Sequence, residues 1–316
     1  MSMGIVEELA NLAPTRETLL TIGVFDGIHT GHRYLLENLM RRAEEKNLLS
    51  GAVTFDPHPQ SVLYPHNQLP WLSDLKDRVN TLKELGINLV AVLSFTPEVS
   101  QLSAREFVSL LKKYLRMRGL MIGPDFALGR GREGNADLLR SLGQEMGFSV
   151  EIMPPFTVDG EVASSTLIRQ ALARGDMGKV EKLMGRHFYL VGKVITAGKR
   201  GRALGFPTAN LDMPAQQALP GNGVYATVTQ VDGKQFASAT NIGTRPTFRE
   251  GEKWVETHLL NYKGNLYGKE IRIEFVQKLR EELCFTSPEE LRTQIGKDIG
   301  EVKATLTSFL SLQGRG

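Results

Sequence analysis

The apolar run Leu19-Leu20-Thr21-Ile22 stops at Gly23-Val24-Phe25-Asp26-Gly27-Ile28-His29-Thr30-Gly31-His32, and an amphipathic segment, Tyr34 to Met40, follows at once. A short apolar run bounded in this way reads as a buried strand, and the glycines permit a tight turn before His32 opens a helix. This strand-loop-helix junction constrains the fold more than any other stretch of the chain. Backbone N–H groups and the positive end of a helix dipole gather there, so an anion meets a site already partly neutralised. A histidine pair spaced H-x-G-H at such a junction points to phosphate handling. Two simpler readings stay open: the imidazoles cap or line the turn, or His29, His32 and Asp26 approach one zinc ion. The glycine between the histidines fits close approach of a ligand better than it fits metal geometry.

From that junction onward, short apolar runs alternate with helical periodicity. Strands are expected near 18–23, 50–55, 88–95, 118–123 and 148–152, and helices near 31–47, 74–85, 104–115 and 135–146. Ser103-Ala104-Arg105-Glu106 is a capping box ahead of Phe107, Leu110 and Leu111. The alternation predicts a parallel, doubly wound α/β sheet, whose ligands bind beyond the carboxyl ends of the strands.

After one helical stretch from Leu167 to Met184 the pattern changes to strands without intervening helices: Tyr189–Thr196, Val224–Val231, Phe236–Ile242, Val255–Leu260 and Ile271–Leu279. Asp232-Gly233 is a hairpin signal, and the whole reads as a small antiparallel β-barrel. Ser287-Pro288-Glu289-Glu290 then opens a long last helix whose Leu291, Ile295, Ile299, Val302, Leu306 and Phe309 face the barrel. The boundary falls at Gly185, giving domains 1–184 and 185–316, a division that suits a chain of 316 residues.

Cys284 is the sole cysteine, so no intrachain disulfide forms and a reducing compartment is expected. Met1 to Pro14 carries Glu7 and Glu8 and no basic residue, unlike a secretory signal. No apolar run approaches the ~18 residues of a membrane span, and a cytoplasmic protein is expected. Charge is uneven: residues 1–185 sum to −2 and residues 186–316 to +5. That excess falls short of a nucleic-acid stripe, and nucleotide phosphates account for it equally well.

Further segments carry chemistry. In Thr54-Phe55-Asp56-Pro57-His58-Pro59 the prolines stiffen a loop at the same sheet edge and aim His58 at the same crevice. Ser164-Ser165-Thr166-Leu167-Ile168-Arg169 opens a helix with three hydroxyls and a guanidinium suited to phosphate oxygens. Gly129, Gly131 and Gly134 form a G-x-G-x-x-G, but they follow the fourth strand rather than the first, which argues against a dinucleotide fingerprint. The segment reads instead as a mobile basic loop, with Asp125 and Phe126 facing the crevice. In the second half, Gly198, Lys199, Gly201, Arg202 and Gly205 make a glycine-rich basic loop without the order of a Walker motif. Thr208 and Asn210, two residues apart on an extended segment, offer hard oxygen donors of the kind that suit Mg2+ held with nucleotide phosphates. Glu256 is a carboxylate among apolar strand neighbours, either a solvated strand position or a general base.

Together these motifs resemble the bifunctional bacterial riboflavin kinase/FMN adenylyltransferases, over about residues 18–310. The second half adds Gly223-Val224-Tyr225-Ala226 and Asn241-Ile242-Gly243-Thr244-Arg245-Pro246-Thr247-Phe248 to the match. Many members of that family have Asn where this chain has Val24. The resemblance implies a Rossmann-like nucleotidylyltransferase domain followed by a kinase barrel. In the barrel, riboflavin would take the γ-phosphate of ATP, giving FMN and ADP, with Glu256 as base and Mg2+ on Thr208 and Asn210. In the first domain FMN would attack a second ATP, giving FAD and pyrophosphate. There His29 and His32 would stabilise the triphosphate, with Gly23, Phe25 and Gly31 shaping its loop and Ser164, Thr166 and Arg169 gripping its oxygens. His58, Asp125 and Phe126 are candidates for the FMN side of that crevice, and Asn241, Arg245 and Leu291 for the kinase's flavin. Neither nucleic acid nor membrane is an expected partner. The rivals are an enzyme with one working domain, an RNA-directed nucleotidyltransferase whose barrel binds nucleic acid, and a nicotinamide oxidoreductase resting on the 129–134 glycines alone.

Overall fold

The computed structural model describes residues 3–66, 69–196, 205–244 and 253–313. Its contacts divide the chain into two compact units, Met1–Ser165 and Thr166–Gly316.

In the first unit, strands β1 (Thr18–Ile22), β2 (Leu49–Asp56), β3 (Leu89–Ser94), β4 (Met117–Ile122) and β5 (Ser149–Ile152) form a parallel sheet in the order β3-β2-β1-β4-β5. Its helices are α1 (Met3–Leu12), α2 (Thr30–Glu45), α3 (Pro59–Leu63), α4 (Leu75–Glu84), α5 (Pro97–Ser100), α6 (Ala104–Leu115) and α7 (Ala136–Met146). Side chains alternate across β1, so the sheet has a core on each face. Leu20 and Ile22 pack with Phe107, Leu111 and Leu139 on one side, while Leu19 packs with Leu36, Leu39 and Leu82 on the other. Burying each of those leucines contributes about 1.5–3 kcal/mol. The expected capping box is present: the Ser103 side chain accepts from the Glu106 N–H and the Glu106 carboxylate accepts from the Ser103 N–H. With β2 on one side of β1 and β4 on the other, the loop after β1 lies where the strand order switches, the place where open α/β sheets bind ligands. A two-stranded hairpin, β6 (Thr157–Val158) with β7 (Glu161–Val162), completes the unit.

The stretch expected as one helix from 167 to 184 is two, α8 (Ser165–Arg174) and α9 (Met177–Met184). Gly175, at φ +74°, ends the first, and Asp176 caps the second by accepting from the Lys179 N–H. Both helices sort mainly with the barrel unit, α9 packing on its strands.

Six strands close the barrel in the order β10-β11-β12-β9-β8-β13. They are β8 (Phe188–Ile195), β9 (Ala209–Asp212), β10 (Gly223–Val231), β11 (Lys234–Thr244), β12 (Lys253–Leu259) and β13 (Glu270–Arg280). The Asp232-Gly233 turn joins β10 to β11 with φ of +48° and +77°, as its sequence requires. Part of the barrel interior is polar: Thr227, Thr229, Ser238, Thr240 and Thr257 are fully buried and bond to one another through their hydroxyls. The last helix, α10 (Pro288–Gln313), buries Val302 and Leu306 against Ala226, Val228, Ala237 and Leu260. Its first turn differs in detail from the expected cap. Ser287 Oγ accepts from the Glu290 N–H, but the Glu290 carboxylate turns back to the N–H and hydroxyl of Thr286. A bidentate pair, Arg280 with Asp298 at 2.8 and 2.7 Å, ties the helix to β13.

Candidate active sites

The loop after β1 is held by its own apolar and acidic residues. Phe25 and Ile28 adopt left-handed backbone, φ +54° and +39°, and both side chains are buried in the core beside α2. Asp26 is 3% exposed and its carboxylate accepts from the N–H groups of Leu72 (3.0 Å) and Ser73 (3.1 Å). The Gly27 N–H in return donates to Ser73 Oγ at 2.9 Å. Ser165 Oγ donates to the Asp26 carbonyl and Thr54 Oγ1 to the Val24 carbonyl. Gly27, at φ +76°, lies against Leu72, and a Cβ on Gly31 would meet the Ala163 carbonyl at 3.1 Å, so both glycines are required by the path. A Cβ on Gly23 would press on the Phe25 ring.

This scaffold presents two stacked imidazoles, His29 and His32, with centroids 3.7 Å apart, and the Phe25 ring stands edge-on to His32 at 5.3 Å. His29 does cap α2: its Nδ1 accepts from the His32 N–H at 3.3 Å. The proton of a neutral His29 ring is therefore on Nε2. Burial, then the neighbouring His29, then Arg78 hold His32 well below the usual histidine range, so it rests neutral. Its Nδ1 is buried without a hydrogen-bond partner. The zinc reading fails here because the Asp26 carboxylate is spent on the 72–73 backbone. Among the described residues no cluster of three or more His, Cys, Asp or Glu is placed to hold a metal.

The other candidates expected for the adenylyltransferase site are dispersed, most along the loops of this unit and Thr166 and Arg169 on α8. His58 caps α3, its Nδ1 accepting from the Gln60 N–H. Asp125 is exposed, whereas Phe126 packs against the core cluster that contains Phe107. The 129–134 glycines lie in a turn whose backbone bonds to its neighbours. Leu128 bridges Gly134, the Arg130 N–H donates to the Leu102 carbonyl, and Glu133 accepts from the Ala104 N–H. Ser164 is half-buried; Thr166 is exposed and Arg169 half-buried on α8.

In the barrel unit, register builds the second site. Glu256 on β12 stands opposite Asn210 on β9 and Asn241 on β11, so the three share one rung and, by alternation, one face. Val255 and Thr257 point inward and are fully buried, which puts that rung on the outside of the barrel. Thr208 Oγ1 donates a short hydrogen bond to Glu256 Oε1. His258, on the same face two residues on, has Nδ1 2.8 Å from the Pro207 carbonyl, a contact that makes Nδ1 the donor and fixes the chain leading into β9. Gly205, at φ +86°, is exposed just before it. Leu291 is half-buried in the first turn of α10. Gly198, Lys199, Gly201, Arg202 and Arg245 lie outside the described residues.

Residues 12–167 match a family model described as FAD synthetase, and residues 184–306 one described as riboflavin kinase. A relative from Escherichia coli (strain K12) is 37% identical over 300 residues, covering 94% of this chain and 96% of its own. Another from Pseudomonas fluorescens is 38% identical over 305 residues, covering 96% and 97%. Both are bifunctional riboflavin kinase/FMN adenylyltransferases. This chain belongs to that family. Its riboflavin kinase unit follows its FMN adenylyltransferase unit, the order the motifs indicated. Among solved structures, the chain is similar to one from Streptococcus pneumoniae described as a macrolide-efflux protein, with TM-score 0.86, 26% identity and coverage of 93% and 96%. Among the described residues no helix is long and apolar enough to cross a membrane.

Sequence reasoning named Asp26 only as a possible zinc ligand, and gave no role to its partners Leu72 and Ser73 or to His258 in the kinase unit. A buried aspartate inside a glycine turn was the available signal for the first. Nothing local marks the second.

Proposed function

We propose how the two reactions of this bifunctional enzyme are divided among its residues. The kinase unit converts riboflavin and ATP to FMN and ADP, and the adenylyltransferase unit converts FMN and a second ATP to FAD and pyrophosphate. The observation that carries the kinase assignment is the rung Asn210–Glu256–Asn241 with Thr208 bonded to its carboxylate. Glu256 accepts the proton of the ribityl 5'-hydroxyl as that oxygen attacks the γ-phosphorus of ATP, and Thr208 holds the carboxylate in place. Asn241, beside Glu256, and Leu291 are assigned to the flavin side.

A divalent cation, Mg2+, fits the oxygen donors here. The Thr208 hydroxyl donates its hydrogen bond to Glu256, which leaves its oxygen lone pairs for a cation, and the Asn210 amide supplies a second neutral oxygen. So sparse a protein donor set suits an ion that keeps waters and binds substrate phosphates rather than one held by a protein cage. When bound, such an ion neutralises phosphate charge during transfer.

In the adenylyltransferase unit the FMN phosphate attacks the α-phosphorus of ATP and pyrophosphate leaves. His29 and His32 stabilise the negative charge that shifts toward the leaving group, and no covalent intermediate with the enzyme is required. His58, Asp125 and Phe126 are assigned to FMN, and Thr166 and Arg169 to the nucleotide, by family resemblance alone. The lone cysteine supports a cytoplasmic location.

The test is to follow flavins over time with riboflavin, ATP and Mg2+, and separately with FMN supplied. His32→Ala abolishes FAD formation and spares FMN formation, and Glu256→Ala does the reverse while still adenylylating supplied FMN. Loss of both activities in either variant overturns the division.

A further inference from the structure

The ladder between β9 and β12 runs from Ala209 to Leu211, so Phe206, Pro207 and Thr208 lie ahead of it. Pro207 has no N–H with which to extend the pairing. Two side chains of β12 reach this segment instead. Glu256 accepts from Thr208 Oγ1, and His258, on the same outward face by alternation, has Nδ1 2.8 Å from the Pro207 carbonyl. A carbonyl only accepts, so Nδ1 carries the proton of that bond. The half-buried His258 ring also meets the Phe206 ring edge-on, with centroids 5.7 Å apart at 89°. The carbonyl that His258 holds belongs to the peptide bond leading into Thr208. With one bond alone, Thr208 would pivot about it; bonds to two successive residues fix where its hydroxyl oxygen stands.

We propose that His258 is a positioning residue of the kinase site, acting through Thr208: by donating from Nδ1 to the Pro207 carbonyl it holds the Thr208 hydroxyl on Glu256, with its lone pairs set for the divalent cation. This rests on the reading that Thr208 and Asn210 hold the cation and that Glu256 takes the proton of the attacking hydroxyl. His258 and Glu256 project from one strand, so the spacing between their two points of attachment is set by β12 itself. Thr208 is thereby placed from the same strand that carries the base, and the donor segment and the carboxylate keep one geometry. Loss of the His258 bond frees the Pro207–Thr208 peptide to rotate, which weakens the cation's donor set more than it weakens the base.

The test compares H258N and H258F with the parent, all as the full chain. An asparagine amide nitrogen stands where Nδ1 stands and keeps the donor; phenylalanine keeps a ring against Phe206 and loses the donor. FMN formation is measured as Mg2+ and ATP are varied, with adenylylation of supplied FMN as the reference activity. The Thr208 methyl signal is followed by NMR as Mg2+ and ADP are added, and 15N NMR of the substrate-free parent reads which ring nitrogen of neutral His258 holds the proton. That proton should be on Nδ1. H258F should raise the Mg2+ concentration for half-maximal FMN formation and the KM for ATP about fivefold, with a smaller effect on kcat and a matching rise in the midpoint of the Thr208 titration. H258N should stay within about twofold of the parent in each. A proton on Nε2, an H258F with the parent's Mg2+ requirement, or an H258N that fails as H258F does, overturns the proposal. A lower melting temperature in H258F without a change in Mg2+ requirement is a merely structural role and overturns it too. If H258F does not fold, H258L carries the same expectation and the same refutation. Thr208→Val with the parent's Mg2+ requirement overturns the cation reading and the proposal with it. Thr208→Val that needs more Mg2+, beside an H258F that does not, overturns the proposal alone.

Discussion

Asp26 offers the sharpest separation between two accounts of the adenylyltransferase loop. A carboxylate next to an anion site is electrostatically unfavourable, so if loop charge alone governed ATP binding, Asp26→Asn and Asp26→Ala would both strengthen it. The geometry says the opposite. The carboxylate is 3% exposed and accepts from two backbone N–H groups, those of Leu72 and Ser73, at 3.0 and 3.1 Å. Hydrogen bonds to a charged acceptor contribute about 1.5–3 kcal/mol each, so the pair is worth about 3–6 kcal/mol before relaxation. Water entering the space left by alanine recovers part of this, and about 3 kcal/mol of net loss is expected for Asp26→Ala. For a unit of this size that lowers the melting temperature by about 6–12 °C. With its anchor gone, the segment carrying His29 and His32 shifts, and a misplacement of about 1 Å costs about 100-fold in rate. Asp26→Asn keeps one acceptor and should fall between. The assay is thermal unfolding together with conversion of supplied FMN to FAD, with riboflavin phosphorylation as the reference activity that should stay within about twofold, since the units are compact separately. Asp26→Ala with an unchanged melting temperature and tighter ATP binding would refute the positional account.

Three further outcomes follow from the geometry. Because His32 is held below its unfolded value, the unfolded chain binds a proton first as pH falls, so stability is level above about pH 7.5 and declines below about pH 6.5, by at most about 1.4 kcal/mol per pH unit. Denaturant midpoints from pH 8 to 5 measure that slope, and His32→Gln should reduce it. Asp298→Ala strands the partly buried Arg280 charge and should destabilise the barrel unit by about 3 kcal/mol, read as a lower urea midpoint for that unit's transition. Thr208→Val keeps the shape but removes the hydroxyl bonded to Glu256, so FMN formation should drop about 100-fold and need more Mg2+, with adenylylation of supplied FMN retained.

The parallel sheet was legible because each of its strands is a short apolar run between turn residues, and burial on both faces is the physical cause of such runs. Helix α6 was legible to the residue because its capping box is local. What the chain hides is whatever depends on distant partners. The Asp26 anchor joins residues 46 positions apart, and no spacing rule reports it. The rung Asn210–Glu256–Asn241 exists only once the barrel closes and fixes the register of three strands. Thus Thr208, Asn210 and Glu256 could be named as chemistry-bearing residues, but their convergence could not be read from the chain except through the family resemblance. Helix α1 was a different omission, since Ile5 and Leu9 lie one turn apart and both are buried; the signal was present and went unused.

The loop's backbone strain bears on how the adenylyltransferase works. Phe25 and Ile28 sit in left-handed conformations at about 1–2 kcal/mol each. Their side chains are buried, and each burial returns about 1.5–3 kcal/mol. The unfavourable path is therefore supported by the core and does not wait for a ligand to stabilise it. His29 and His32 are stacked at 3.7 Å in a loop pinned by Asp26, Thr54 and Ser165. A site arranged in this way loses little reorganisation energy when charge moves toward pyrophosphate, and that is the condition under which fixed donors contribute most to a phosphoryl or nucleotidyl transfer. The kinase unit reaches the same condition by another route, since strand pairing rather than loop strain holds Glu256 between two amides. In both units the groups proposed to act on the phosphates are thus set by folding free energy, and substrate binding energy remains for alignment.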